Sequence, residues 1–259
     1  GIELAAGNDG KLICAGLYSE MFRKGIRGTF FFEIDNNSGS FINANIQEFD
    51  NAFLEKMTNK DETLIADEEL IGYGVTDLVV RENGTFTMIA EQFFNQTYNT
   101  YNNLLVFNFQ QNGLINWKTV VEKKQDYSIH TSYGEMEPQD IRRFLVDSGA
   151  IGDYNTNYCS YALLAPVDDS KIYLIYNENI KNLRENKKKY YSFNNPRKSY
   201  IAIVEITPNG VVEKKNVLPW KRRALFPQPL HYYEQKHDEL IIPAYRNRKY
   251  KFIKFNFNV

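Results

Sequence analysis

The clearest pattern in the sequence is a series of short apolar segments separated by tight-turn residues. Leu105, Phe107 and Phe109 occur at every second position, which predicts a strand that buries one face. Apolar segments flank the Asn-Gly pairs at 83–84 and 112–113, and this arrangement predicts two hairpins. Both central residues of a type I′ turn need positive φ, which Gly and Asn tolerate best, so we predict type I′ turns at these pairs.

The order strand, turn, strand, loop, strand, turn, strand recurs along the chain. Gly10 and Gly39 are 29 positions apart, and so are Gly84 and Gly113. Looser copies follow, with turns predicted at 168–169, 209–210 and 237–238. The four repeat units span residues 1–46, 75–121, 157–217 and 228–259.

Four-stranded antiparallel units in series are typical of a β-propeller, so the predicted fold is all-β, with one propeller domain over residues 1–259. A β-sandwich would explain the short strands but not the matched spacing. The first unit has only a short innermost strand and the last lacks an outermost one. The four units therefore either close a small ring through the two termini or belong to a larger ring.

Short helices are predicted in the linkers between blades. Phe49, Phe53 and Met57 have helical spacing, so residues 47–58 are expected to form one helix. A second helix is expected between Pro138 and Gly149, since Pro favours a helix start and Gly a helix end.

Long loops are predicted at one face of the blades, and they carry most of the positive charge. Three of them together hold fourteen basic and three acidic residues in a chain of net charge −1. A basic, aromatic-rich face of this kind attracts an acidic partner, although such charge runs are also common in merely solvated loops. The candidate binding residues are Arg23, Lys24, Arg27, Tyr176, Asn177, Asn179, Asn182, Lys187, Lys188, Tyr190, Arg246 and Arg248.

A search for chemistry yields one weaker alternative. Glu20, Glu91 and Glu178 each fall at or just after the second strand of a unit, so superposed blades would aim them near one axis. Such carboxylates could bind or cleave a glycan. The three histidines form no zinc pattern, so we predict no metal, no cofactor and no catalytic residue.

Composition excludes several other classes. The near-zero net charge argues against nucleic-acid binding, and no apolar run is long enough to be a transmembrane segment. Cys14 and Cys159 lie in apolar runs and are expected to be free core thiols. No signal peptide is visible, and because the chain begins at Gly1 we expect a processed or trimmed form.

Three segments carry a resemblance to a known family: "DLVVRENGTFTMIAEQFF", "INWKTVVEKKQ" and "YLIYNENIKN". Together with the Asn- and Lys-rich composition, they resemble β-propeller-like proteins of unknown function from Bacteroidota. The resemblance implies a periplasmic, outer-membrane-associated or secreted location and no established activity.

The sequence therefore favours a non-enzymatic scaffold that presents its loop face to a protein partner at the bacterial cell envelope. A glycan-binding or glycoside-cleaving propeller that uses the three carboxylates is the alternative. A purely structural module within a larger assembly is a third.

Overall fold

The computed structural model shows an all-β protein built from successive antiparallel sheets. It describes residues 1–19, 25–58, 65–66, 69–95, 99–127, 158–166, 171–184, 189–195, 198–217, 225–236, 238–246 and 249–257. The predicted all-β class is confirmed, and the four antiparallel sheets follow the order of the four sequence repeats. Their arrangement as propeller blades stays a prediction.

The first two sheets are simple meanders. Sheet 1 contains β1 (Ile2–Ala6), β2 (Lys11–Tyr18), β3 (Gly28–Asp35) and β4 (Phe41–Glu48). Helix α1 (Asn51–Thr58) and a small hairpin of β5 (Ile65–Ala66) and β6 (Glu69–Leu70) follow it. Sheet 2 contains β7 (Tyr73–Val80), β8 (Phe86–Asn95), β9 (Asn99–Phe109), β10 (Ile115–Val121) and β11 (Gln125–Tyr127), which pairs with the start of β9.

The last two sheets repeat this pattern. Sheet 3 contains β12 (Ala162–Leu164), β13 (Ile172–Asn179), β14 (Ser199–Ile206) and β15 (Val212–Val217) in that order. Sheet 4 contains β16 (Phe226–Pro227), β17 (Tyr233–Lys236), β18 (Glu239–Arg246) and β19 (Lys249–Asn256). β16 and β17 pair with different parts of the same edge of β18, and β19 pairs with its other edge. In the described residues, sheet 4 is therefore three strands wide.

The hairpin positions are confirmed, but the type I′ turns are wrong. Gly84 and Gly113 have φ of 78° and 80°, whereas Ser160 is the one described non-glycine residue with positive φ. The Gly84 amide donates to the Arg81 carbonyl, and the Arg81 amide donates to the Thr85 carbonyl, which makes a three-residue loop with glycine last. Only the last position of such a loop needs positive φ, so Asn83 keeps an ordinary φ, and its side chain accepts a hydrogen bond from the Thr85 amide at 2.9 Å.

Contacts divide the chain into two compact units. Unit 1 comprises Gly1–Phe93 and Leu104–Val120, and unit 2 comprises Phe94–Asn103 and the described residues from Val121 onward. The core of unit 1 is aromatic, because a ring of β8, Phe86, stacks on Phe31 at 4.9 Å and on Phe109 at 4.6 Å.

Helix α1 closes the unit 1 core. Phe49, which precedes the helix, stacks on Phe107 at 5.5 Å, and Phe53 of the helix is buried beside both. The helix predicted over 47–58 is therefore confirmed for residues 51–58. The helix predicted at 138–149 and the turns at 168–169 and 237–238 involve residues outside the described part of the chain.

The core of unit 2 forms between apolar faces of sheets 3 and 4. It joins aliphatic residues of β13, β14 and β18, such as Ile175, Ile203 and Ile242, to Phe255 of β19. The register of sheet 3 places Glu178 opposite Tyr200 and Val204 opposite Lys214, on the opposite face of the sheet from this core.

Both cysteines are free, but only one lies in a core. Cys159 is fully buried, whereas Cys14 is half-buried on the outward face of sheet 1, which corrects the prediction of two core thiols. Among the described residues, no helix is long and apolar enough to cross a membrane.

Candidate functional site

The most elaborate polar arrangement in unit 2 surrounds Glu178 at the end of β13. This side chain is 1% exposed. Its Oε1 accepts the Asn182 Nδ2 at 3.1 Å and contacts the Tyr190 hydroxyl, and its Oε2 contacts the Tyr200 hydroxyl and the Lys214 ammonium. We call Glu178, Asn182, Tyr190, Tyr200 and Lys214, with Tyr176, the Glu178 cluster.

Lys214 links the aromatic members of the cluster. Its Nζ donates to the Tyr190 Oη at 2.9 Å and lies 5.3 Å and 5.4 Å from the ring centroids of Tyr176 and Tyr190. The hydroxyls of those two tyrosines also approach the Glu122 carbonyl oxygen, at 3.2 Å and 3.0 Å. The single ammonium therefore faces a carboxylate and two aromatic rings, an arrangement that suits a partly desolvated cation.

Two tyrosines of the cluster, Tyr176 and Tyr200, remain protonated near neutral pH because their pKa values are raised. Burial raises the pKa of Tyr176 well above its usual value, and the nearby Glu178 carboxylate raises it further. Burial also raises the pKa of Tyr200, and the charge of Glu178 and the hydrogen bond to it act in the same direction. A protonated Tyr200 can donate its hydrogen bond to Glu178, which offsets the cost of burying a carboxylate.

The asparagines of β13 and the turn after it fasten residues 189–195, which we call the 189–195 segment. The Asn179 Nδ2 donates to the Ser192 carbonyl at 2.7 Å. The Asn182 Nδ2 donates to the Tyr191 carbonyl at 2.8 Å, and the Tyr191 amide donates back to the Asn182 Oδ1 at 2.8 Å. Asn179 also caps the following turn, since its Oδ1 accepts the Lys181 amide at 3.0 Å.

The other side of the 189–195 segment is held by backbone bonds to β11 and the residue before it. The Phe193 amide donates to the Lys124 carbonyl at 2.8 Å, and the Asp126 amide donates to the Phe193 carbonyl at 2.9 Å. The Phe193 side chain is 1% exposed, so the middle of the segment is anchored in the interior of unit 2.

Asn177 belongs to a separate internal network. Its Nδ2 donates to the backbone carbonyls of Tyr158 and Pro227, at 2.9 Å and 2.8 Å. The backbone carbonyl of Asn177 accepts a hydrogen bond from the Gln125 Nε2 at 2.9 Å. The Gln125 Oε1 accepts the Ser160 amide at 2.7 Å. Asn177 therefore ties three segments of unit 2 together and does not face solvent.

The bonds that hold the 189–195 segment leave a small surface exposed, in which two lysine side chains lie beside one aromatic ring. The Lys181 Nζ lies 4.9 Å and the Lys189 Nζ 5.7 Å from the centroid of the Tyr191 ring. Both lysines are exposed, and the ring is half-buried. We call Lys181, Lys189 and Tyr191 the Tyr191 surface; Arg184 and Lys198 of the same long loop are also exposed.

The structure brings four of the predicted candidates, Tyr176, Glu178, Asn182 and Tyr190, into one cluster and places Asn177 and Asn179 beside it. Arg27 lies in unit 1, where its backbone pairs with Tyr18 and Phe49, and Arg246 ends β18. Glu91 lies on β8 of unit 1 and is 2% exposed. The remaining candidates, which are Glu20, Arg23, Lys24, Lys187, Lys188 and Arg248, fall outside the described residues.

Several residues of the site were missed from the sequence. Tyr200 and Lys214 join the cluster through the register of sheet 3, and pairing β13 with β14 would have placed Tyr200 opposite Glu178. The burial of Lys123, which is 1% exposed, could not be predicted because it depends on strand β9, where the Tyr101 carbonyl accepts from the Lys123 Nζ at 3.4 Å and the Asn103 Oδ1 accepts from the Lys123 amide at 3.1 Å.

Unit 1 offers a shallower feature. A cleft of about 280 Å³ lies between the β1–β2 and β7–β8 turns, with the Lys11–Glu33 ion pair at its edge. The Asn8 and Gln111 amides that line it already donate to backbone carbonyls of the β7–β8 turn. These two amides therefore serve the turn itself and give the cleft no clear ligand-binding group.

No protein-family model matches this sequence, and a comparison with curated proteins gives no match either. The chemistry of the site therefore has to be judged from its geometry. Among the described residues, no group of three or more His, Cys, Asp or Glu side chains is placed to hold a metal ion.

Proposed function

We propose that this protein is a non-enzymatic binding module that presents the Tyr191 surface to an acidic protein partner at the bacterial cell envelope. We further propose that its four serial sheets are blades of a β-propeller. The repeated antiparallel meanders support the propeller, and the resemblance to envelope propeller-like proteins supports the location.

The placement of Lys181 and Lys189 around the Tyr191 ring carries the proposal. The two-way hydrogen bonding between Asn182 and Tyr191 fixes the backbone beneath that ring before any partner arrives. Because the segment that carries the ring is already ordered, binding a partner carboxylate here costs less conformational entropy than binding to a mobile loop would. Tyrosine is also among the residues that most often dominate binding energy at protein interfaces.

The bonding of Glu178 favours a structural role over catalysis for this carboxylate. A glycosidase carboxylate must reach the scissile bond of a sugar. Both Glu178 oxygens are already engaged by hydroxyl, amide or ammonium donors, and the side chain is 1% exposed. In this arrangement the carboxylate holds Tyr190 and therefore the start of the 189–195 segment.

The experiment measures binding of a fluorescent polyglutamate peptide by anisotropy at low salt. The test variant carries Lys181→Gln and Lys189→Gln, and we expect its affinity to fall by about tenfold or more, because each charged contact contributes on the order of 1 kcal/mol. The control variant carries Gln110→Glu and Asn37→Asp, two exposed positions of unit 1 that change the net charge equally. Its affinity should stay within about twofold of wild type if the peptide is held by Lys181 and Lys189 themselves and not by the net charge of the chain.

Equal binding by the wild type and the test variant would overturn the proposal, as would no binding by either. A glycan array run in parallel distinguishes the proposed protein-binding module from the alternative, a glycan-binding propeller. An uncharged oligosaccharide that binds the wild type and the test variant equally would favour a glycan-binding module.

A further inference from the structure

The outward face of sheet 1 is almost entirely apolar. The strand registers place every second residue of β1 to β4 on this face, in rows that run across the sheet. One row is Ile2, Gly16, Phe30 and Ile46, the next is Leu4, Cys14, Phe32 and Ala44, and the third is Ala6, Leu12, Ile34 and Phe41. A fourth, shorter row ends in Glu48, the one charged side chain in these rows. We call these residues the sheet 1 face.

The sheet 1 face is exposed although its residues are of the kind found in cores. Ile2 is 58% exposed, Leu4 59%, Ile46 62% and Phe41 69%. The opposite face of the same sheet, with Ala15 and Phe31, lies buried in the core of unit 1. A half-buried antiparallel sheet normally alternates apolar and polar residues, so an apolar outward face indicates a surface that becomes covered.

Glycines on β2 and β3 make room for aromatic rings that lie along the sheet 1 face. A Cβ at Gly16 would collide with the Phe30 ring, and a Cβ at Gly28 would meet the Tyr18 ring at 2.6 Å. Ring contacts continue across the strands, with Phe32 5.4 Å from Phe30 and 5.6 Å from Phe41. The result is a continuous aromatic layer suited to packing against another sheet.

The face is just large enough for a specific interface between two copies. Four strands about 4.8 Å apart, each with about 3.3 Å per residue, give roughly 500 Å² of face. Two copies in contact would bury roughly 1,000 Å² together, the lower bound for a specific interface. The roughly 500 Å² of one face lies toward the upper end of the largest apolar patches that monomers leave exposed, about 300–600 Å².

The charge distribution favours a second copy as the occupant. A surface that packs on itself must not bring like charges together, and the sheet 1 face carries only Glu48, at its edge. The whole chain has a net charge of −1, so two copies repel each other very little.

We propose that the sheet 1 face of one copy packs against the sheet 1 face of a second copy, which makes this protein a homodimer. The interface is apolar and aromatic, and it involves none of the residues of the Tyr191 surface. The dimer therefore does not depend on the Tyr191 surface, and either one can fail without the other. It does require that no other blade of the proposed propeller covers the sheet 1 face, in agreement with the exposure of Ile2 and Phe41.

Sedimentation equilibrium over about 1–200 µM protein tests the dimer directly. The chain mass is 30.3 kDa, so the wild type should approach twice that mass at the upper concentrations. Leu4→Lys and Ile46→Lys, made separately, should each weaken dimerisation by about 100-fold or more, because each buries an unpaired charge in an apolar contact. Phe252→Lys is the matched control: Phe252 is 68% exposed on sheet 4, and this variant should dimerise like the wild type.

The reactivity of the Cys14 thiol provides a second measurement of dimerisation that needs no introduced probe. It lies in the middle row of the sheet 1 face, whereas Cys159 is fully buried and should not react in the folded protein. Thiol labelling of Cys14 should therefore slow as the concentration of wild type rises, and it should be independent of concentration in Ile46→Lys. Thermal melting of each variant shows that it is folded, since exposed substitutions should change stability little.

A wild type that stays at monomer mass up to about 200 µM would overturn the proposal and leave the face to a different partner. A dimer that survives both lysine substitutions would also overturn it, because the interface would then lie elsewhere. Loss of the dimer in Phe252→Lys, with the sheet 1 variants unaffected, would place the interface on sheet 4 instead.

Discussion

At the scale of single residues, the buried carboxylate of Glu178 depends on hydroxyl donors from β14 and from the 189–195 segment. Tyr200→Phe keeps the ring and removes only the hydroxyl that contacts the Glu178 Oε2. We expect this change to lower the free energy of unfolding by about 1.5–3 kcal/mol, the usual range for a lost hydrogen bond to a charged group. Urea unfolding followed by fluorescence measures the change.

The control for this substitution is Tyr233→Phe, at a tyrosine that is 62% exposed. It should change the free energy of unfolding by no more than about 0.5 kcal/mol. If both variants unfold at the same urea concentration as the wild type, the Tyr200 hydroxyl contributes nothing to the burial of Glu178.

The buried tyrosines also predict how stability responds to alkaline pH. The pKa values of Tyr176 and Tyr200 are raised in the folded protein, by burial first and by Glu178 second. Below about pH 10 the tyrosines are protonated in both states and this contribution is complete. Above that pH the unfolded chain loses the protons first, so the free energy of unfolding falls by up to about 1.4 kcal/mol per pH unit for each tyrosine.

Urea unfolding at several pH values between 9 and 11 checks this dependence. Tyr200→Phe should show a smaller decrease with pH than the wild type, even though it starts from a lower stability. Tyr173 and the Cys14 thiol have pKa values raised by burial, so some decrease should remain in that variant. Identical pH slopes in the two proteins would contradict the prediction.

At the scale of strands and turns, two glycines with the same backbone conformation should respond differently to substitution. Gly39 and Gly113 have φ of 69° and 80°, so alanine is strained at both. A Cβ at Gly39 would meet nothing within 4 Å, whereas one at Gly113 would collide with the Phe31 ring, which is stacked on Phe86.

We therefore expect Gly39→Ala to cost about 1 kcal/mol and Gly113→Ala about 2–4 kcal/mol, since the second adds overpacking to the same backbone strain. Urea unfolding of the two variants measures the difference. Equal costs would show that Phe31 moves aside freely.

The 189–195 segment makes a local prediction. Asn182→Ala removes both hydrogen bonds to Tyr191 and one donor to Glu178, so the backbone of the segment should open more often. Amide hydrogen exchange at Tyr191 should then accelerate by about tenfold or more, consistent with roughly 1.4 kcal/mol for such bonds. Asn194→Ala, at an exposed position of the same segment, is the control and should leave that exchange rate unchanged.

Local pattern predicted the elements well and their long-range contacts poorly. Alternation and glycine spacing located the hairpins at Gly84 and Gly113, because strand and turn preferences are set by neighbouring residues. The turn type was wrong because the loop at Gly84 has three residues and not two, so only its last residue needs positive φ. Tyr200 and Lys214 were missed because only strand register brings them to Glu178.

At the scale of the whole molecule, the average charge conceals where positive charge is available. The net charge is −1, yet Lys181 and Lys189 stand exposed around Tyr191 while other lysines are engaged in ion pairs. Lys171 and Lys215, for example, both pair with Glu205. The near-zero net charge argued against nucleic-acid binding but could not show which cations are paired, since pairing depends on register.

The two proposed surfaces should respond to salt in opposite ways. Binding of polyglutamate at the Tyr191 surface is electrostatic, so raising salt from 50 mM to 500 mM should weaken it by about tenfold, as the screening length falls. Dimerisation through the sheet 1 face buries apolar area, so it should stay constant or strengthen, most clearly in sulfate salts. Anisotropy and sedimentation across one salt series measure both on the same preparation. If the dimer instead dissociated in parallel with the peptide as salt rises, charged groups would be holding the two copies together, and this would contradict an interface through the apolar sheet 1 face.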